Sequence, residues 1–398
     1  MVTPRQILLL CAFGAFLDGY DIQALGLAIP GLAQQLAVKP TEFAPALSGS
    51  LAGMAAGALL LAPYADRFGR RNMMVLALLL IGLTTVGAIA VTTPGQLAMW
   101  RTATGLGMGA LLPLAVTMSA EAAPAALRVF IVTLIASCSG LGSFAAGLLA
   151  PVLDKHWGWQ GIFAIGAAMP LAAALAFSIM REATPAQQSE RPVVKTTTLP
   201  AAVAGLFSAP YRLRTTLLWS IFFISLFATY SLISWLPTLL TTAGWARPDA
   251  MRATGFLALG SIAGGLLLAR AADKGHAVPA LASAYVLAAI AFASIATTPT
   301  SKAAWIAAII AVGAGSIGSQ LALGSLASTF YPATIRATGV GWSSGIGRVG
   351  SIFGPLALAG MMSLQFQPAH IIGFLAVPMA ICAVLVCLLK RALVHEVA

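Results

Sequence analysis

The chain is a succession of apolar blocks, each long enough to cross a bilayer as a helix. They fall at approximately 6–30, 43–63, 73–92, 96–119, 129–153, 159–180, 213–240, 253–270, 278–297, 302–326, 337–363 and 368–389. A hydrocarbon core of about 30 Å takes roughly 20 helical residues, and within it the backbone has to satisfy its own hydrogen bonds. Twelve such blocks predict an all-α polytopic membrane protein with twelve transmembrane helices. Of the 398 residues only 8% are charged, too few to cover a soluble domain of that length.

Charge then orients the chain. Twelve crossings leave both termini on one side, and of the 22 Lys and Arg that side carries 15, among them Arg5, Arg67, Arg70, Arg71, Arg128, Arg212, Arg214, Arg270 and Arg336. The opposite side carries five: Lys39, Lys155, Arg247, Arg252 and Lys302. Positive residues stay in the cytoplasm, so both termini are expected there, in a cytoplasmic (inner) membrane. The net charge of +11 is accounted for by orientation and asks for no nucleic-acid partner.

The long polar stretch at 181–212 divides the crossings six and six, giving bundles at 1–180 and 213–398 joined by a cytoplasmic linker. The halves repeat each other. "ADRFGRR" after the second block matches "ARAADKGH" after the eighth, with Asp66 and Asp273 207 positions apart. "APAALR" matches "YPATIR", with Arg128 and Arg336 208 apart. Two six-helix repeats fit a transporter that rocks its halves around a midplane site. Glycine stripes at 105–113, 138–151 and 339–355 fit close helix packing.

Four charges lie well away from the ends of the blocks. Asp18 and Asp21, in "FLDGYDIQALG", share one helix face at i and i+3, roughly 18–22 Å into the first helix. An ionised carboxylate at that depth costs about 2.5–3.5 kcal/mol or more unless it faces a cavity or a partner. Mutual repulsion raises the pKa of at least one of such a pair, which makes them candidate proton carriers. The alternative for Asp21 is an ion pair with Arg101, whose expected depth matches it. Arg101 and Arg348 are candidates for binding an anion, since a guanidinium forks onto a carboxylate; the alternative for each is an interhelical clamp. In the seventh helix Phe223, Phe227 and Tyr230 follow i, i+4, i+7, a stripe that would stack on an aromatic ring if it faces the transport path. Trp342 is a candidate of the same kind, and Trp235 is expected to mark the membrane interface.

The motifs resemble those of the major facilitator superfamily and, within it, the aromatic acid:proton symporters of the 4-hydroxybenzoate, benzoate and hydroxyphenylpropionate kind. The superfamily signal is "APYADRFGRR". The closer signals, in family order, are "LDGYD", "RTATGLGMGALLP", "SAEAAPAALR", "SWLPTLL" and "YPATIRATGVGW…GIGRVGSIFGP". The loop motif departs from the pattern at Ala62, where a glycine is usual, and the linker and tails are short for the family. The resemblance implies proton symport of an aromatic carboxylate. It also implies a cytoplasmic gate built from Asp66, Arg67, Gly69, Arg70, Arg71, Glu121, Arg128 and Arg336, in which Asp66 and Glu121 exchange arginine partners. The competing reading is a transporter of a non-aromatic organic acid, or an efflux pump. A membrane phosphotransferase would need several acidic residues clustered near the cytoplasmic surface, and only two lie together, deep. No enzyme activity, cofactor or metal is expected; the expected partners are the aromatic acid, protons and the bilayer, with the chain a monomer.

Overall fold

The computed structural model describes residues 4–124, 127–179, 199–208, 211–298, 301–332 and 335–394. They are helical, with no strand among the described residues. The first crossings are α1 (Pro4–Leu36), α2 (Ala44–Leu60), α3 (Arg70–Ile89) and α4 (Pro94–Ala122). Next comes α5 (Arg128–Ile179), then a short helix α6 (Leu199–Leu206). Beyond it run α7 (Arg212–Thr242), α8 (Arg247–Asp273), α9 (Ala277–Thr297), α10 (Lys302–Val312), α11 (Ser319–Thr329), α12 (Arg336–Ser363), α13 (Pro368–Phe374) and α14 (Ala376–Val394).

The 52 residues of α5 would run roughly 78 Å as one rod, more than twice a bilayer core. Gly158 breaks it with φ 64°, ψ −169°, a conformation in the left-handed half of the map that glycine tolerates. The two arms are the fifth and sixth crossings. With α10 and α11 forming one crossing through a π-helical turn at Gly313–Ile317, and α13 and α14 another, the twelve expected crossings are present. The linker differs from a plain loop in holding α6, whose sequence LPAAVAGL is apolar; residues 180–198 lie outside the described residues.

Two compact units form. One takes Met1–Ala186 with Ile233–Ala258 and Pro355–Leu364; the other takes Gln187–Leu232, Leu259–Gly354 and Gln365–Ala398. Chain order thus separates six helices from six, while packing draws the end of α7, the start of α8 and the end of α12 into the first unit. The contacts that do this are specific. A Cβ at Gly26 of α1 would lie 2.9 Å from the Ser234 carbonyl of α7, and one at Gly147 of α5 would meet the backbone of Gly255 in α8. Arg247, at the start of α8, pairs with Asp154 of α5 at 2.5 Å. Trp235 is fully buried and donates to the Pro355 carbonyl of α12 at 2.8 Å, so it lies inside the protein and does not mark the interface.

Inside each unit, glycines set the helix crossings, and the crossings repeat. A Cβ at Gly142 would collide with the Phe16 carbonyl; at Gly350 it would collide with that of Phe223, 208 and 207 positions on. Gly53 against Thr102 recurs as Gly260 against Ile310, and Gly57 against Leu106 as Gly264 against Ala314. Gly107 against the Ala77 carbonyl recurs as Gly315 against that of Ala284. The offset of 207–208 seen in the loop motifs is therefore the offset of the helix contacts. Such backbone-to-backbone contacts replace the hydrophobic drive that lipid removes.

Replacing Gly142 by Leu is expected to destabilise the protein by on the order of 2–3 kcal/mol or more through overpacking. Gly360→Ala, where an added Cβ meets nothing within 4 Å, leaves the melting temperature of the detergent-solubilised protein near that of the wild type. Equal melting temperatures for the two variants would contradict the packing account.

Candidate functional site

Both aspartates of α1 are buried, but they have different company. Arg101 of α4 reaches Asp21 with two prongs, Nη1 to Oδ1 at 2.9 Å and Nη2 to Oδ2 at 2.5 Å, and Nη2 lies 3.4 Å from the Asp21 carbonyl. The guanidinium sits 5.7 Å from the ring centre of Phe163, in the second arm of α5, within cation–π range. Arg101 is 1% exposed and Asp21 2%. Of the two expectations for this pair, the geometry presents the clamp: paired charges tie α1 to α4 and satisfy each other where water is scarce.

Asp18 points toward α5 instead. Its Oδ2 accepts a hydrogen bond from Ser139 Oγ at 3.3 Å, and one turn on, Ser143 Oγ donates to the Gly19 carbonyl at 2.8 Å. Gly19 makes this possible, since a Cβ there would collide with the Ser139 carbonyl. Between the aspartates, Tyr20 turns the other way and donates to the Ile162 carbonyl at 3.0 Å. Ser139, Ser143 and Phe163 were not singled out from sequence. The two serines lie in the 138–151 stripe, and nothing in a small-residue run separates a packing serine from one that meets a carboxylate.

Arg348 lies in the second unit, half-buried on α12. Its Nη1 is buried and meets no acceptor among the described residues. The preceding residue, Gly347, packs on Leu226 and Phe222 of α7. Gly341 and Gly345 lie seven and three residues earlier on the face that ends at Arg348, and a Cβ at either would meet nothing within 4 Å. Open space thus lies beside α12 at these two positions. On α7, Phe223, Phe227 and Tyr230 form a half-exposed stripe, while Phe222, Ser225 and Thr229 on the other side are buried. Trp342 is 43% exposed and stacks on Trp219 at 5.8 Å, which meets Phe207 edge-on at 5.3 Å.

Just before α3, Gly69 adopts φ 84° and turns the chain into the helix, which explains a glycine in the motif. Arg70 forms an ion pair with Glu121 of α4. Arg71 Nε donates to the Phe177 carbonyl at 2.8 Å, and its Nη2 to that of Ser178, capping the last turn of α5. Arg336 Nε donates to the Tyr331 carbonyl at 3.2 Å, while Arg67 and Arg128 are exposed. The side chain of Asp66 lies outside the described residues. Among the described residues no group of three or more His, Cys, Asp or Glu could hold a metal ion.

Comparison with known proteins places this geometry. The family profile of the Major Facilitator Superfamily matches residues 11–355. A gallate transporter of Pseudomonas putida is 31% identical over 384 residues, covering 90% of this chain and 85% of that one. The 4-hydroxybenzoate transporter PcaK of Acinetobacter baylyi is 32% identical, covering 95% and 89%. A 3-(3-hydroxy-phenyl)propionate transporter of Escherichia coli is 31% identical, covering 89% and 86%. Among solved structures, a bacterial homolog of the human lysosomal transporter Spinster superposes with a TM-score of 0.79 at 16% identity, over 98% of both chains. A D-xylose–proton symporter does so with 0.76 at 18% identity, over 96% of both.

Breaking a buried pair leaves a charge stranded, at a cost of about 3–5 kcal/mol. Asp21→Asn and Arg101→Ala are each expected to lower the melting temperature sharply, and the double replacement Asp21→Leu with Arg101→Leu to recover part of the loss. A double variant as unstable as the sum of the two singles would show that the residues do not act as a pair.

Proposed function

Since the chain belongs to the Major Facilitator Superfamily of transporters, we propose that it imports an aromatic carboxylate by proton symport, through alternating access. The observation that carries this reading is Arg348, a guanidinium in a transmembrane helix with a buried Nη1 that meets no acceptor among the described residues. An intramembrane charge of this kind marks a substrate path by default, and a carboxylate would fill the missing acceptor. The half-exposed stripe Phe223, Phe227 and Tyr230 supplies faces for a benzene ring. The relatives named for gallate, 4-hydroxybenzoate and 3-(3-hydroxy-phenyl)propionate support the same cargo class.

In this reading the charges divide the work. Asp21 is held by Arg101, and that pair joins the helices. Asp18, buried on the same helix face and beside Ser139, is the proton carrier. Its protonation removes a negative charge from the path of the anion; its deprotonation on the cytoplasmic side restores the charge and favours release. One proton with one monovalent anion moves no net charge, and a second proton would add about 2.3 kcal/mol per 100 mV of membrane potential. At the cytoplasmic end, Arg70 with Glu121 is the part of the gate closed within the first unit. The protein works as a monomer in the inner membrane with both termini cytoplasmic, the orientation that the Lys and Arg distribution favours.

Proteoliposomes taking up labelled 4-hydroxybenzoate are expected to accumulate it only with a proton gradient. Asp18→Asn is expected to abolish accumulation while leaving substrate exchange, and Arg348→Gln to raise KM by on the order of tenfold or more. Accumulation that survives an uncoupler would overturn symport. Transport of aliphatic acids with no uptake of aromatic ones, or extrusion in place of uptake, would favour the competing readings.

A further inference from the structure

A cluster of neutral polar side chains lies within the helices of the second unit, and the transport scheme above gives it no task. Ser225 and Thr229, one turn apart on α7, are both buried. The Tyr285 hydroxyl of α9 donates to Ser225 Oγ at 3.1 Å, and Gln320 Nε2 of α11 donates to the same oxygen at 2.8 Å. Thr229 Oγ1 and Ser316 Oγ share a hydrogen bond at 2.7 Å, and Ser319 Oγ donates to the Ser316 carbonyl at 2.6 Å. Interhelical hydrogen bonds of this sort are ordinary membrane-helix glue. Two features go beyond it.

The first is the backbone. Ser316 belongs to the π-helical turn Gly313–Ile317, and such turns are rare and concentrate at functional sites. The second is exposure. Ser225, Thr229, Tyr285, Ser316 and Ser319 are buried, while Gln320 is half-exposed. Its Nε2 is anchored on Ser225 and lies 3.4 Å from the Ser316 carbonyl. One turn along the same face, a Cβ at Gly324 would meet nothing within 4 Å. The cluster therefore ends in one fixed carboxamide beside open space.

Its level in the helix is informative. Ser225 holds Gln320, while Phe222 and Leu226 hold Gly347, the residue before Arg348. A single turn of α7, residues 222–226, thus contacts both Gln320 and the residue before Arg348, which puts the two groups at one level of the second unit. Within the cluster there is no charge, which suits a neutral partner better than a second carboxylate. A carboxamide both donates and accepts, as does a hydroxyl.

We infer that Gln320 determines specificity by hydrogen-bonding a ring hydroxyl of a substrate whose carboxylate sits on Arg348, with Ser225 and Tyr285 as positioning residues. The inference rests on the cargo proposed above. The test compares uptake of 4-hydroxybenzoate and benzoate by the reconstituted full chain in wild type, Gln320→Leu and Ser225→Ala. Gln320→Leu is expected to raise KM for 4-hydroxybenzoate by about tenfold and to leave that for benzoate within about twofold. Ser225→Ala, which unanchors the carboxamide, gives a smaller selective loss of the same sign. If Gln320→Leu does not reach the membrane folded, Gln320→Met and Ser225→Ala provide the same comparison. A wild type that carries both acids, with their KM ratio unchanged in the variants, overturns the role of Gln320 alone. A wild type that carries neither overturns the cargo reading and this inference together.

Discussion

A guanidinium buried in hydrocarbon has to be neutralised, and the pairing of Arg101 with Asp21 sets the terms for every other charge in the helices. The two-pronged contact uses up one carboxylate of α1 and one arginine of α4, and Phe163 shields the cation from a third side. What remains is asymmetric: an acid, Asp18, beside hydroxyls in the first unit, and a base, Arg348, beside open space in the second. An acid locked to arginine cannot change its ionisation without stranding its partner.

The second constraint is clearance. Lipid offers helices no hydrophobic reason to associate, so contact depends on backbones coming close. Gly53, Gly57, Gly107 and Gly142 provide that in the first unit, with Gly260, Gly264, Gly315 and Gly350 in equivalent places in the second. These crossings fix the heights at which side chains face each other, including the turn of α7 shared by Gln320 and Arg348.

Much of this was legible in the chain itself. A crossing announces itself by length and composition, and the repeat by two motifs at nearly one offset, because both are properties of contiguous residues. The buried charges were legible too, since any Asp or Arg in an apolar run stands out. Their partners were harder. Depth along a helix suggested Asp21 for Arg101 but could not decide between pairing and substrate binding, because that depends on the rotation of α4 about its axis. Ser139 and Ser143 were invisible for a different reason: a serine in a helix bonds its own backbone as readily as a neighbour, so its type says nothing about its target. Trp235 misled because an aromatic near the end of a span usually sits among headgroups, whereas here α7 ends inside the first unit. The break in α5 was legible as the gap between the blocks at 129–153 and 159–180, and it falls at Gly158.

One pair of crossings is matched in position but not in residue. In the first unit the slender partner is Gly19 on α1, against Ser139; in the second it is Gly347 on α12, against Leu226. The bulk has changed sides while the gap has stayed. What the architecture fixes at such a point is the combined volume of two facing residues, since interiors resist both voids and excess. Lineages of this fold can therefore trade atoms across a seam and reshape the wall of a passage there without moving the helices that frame it.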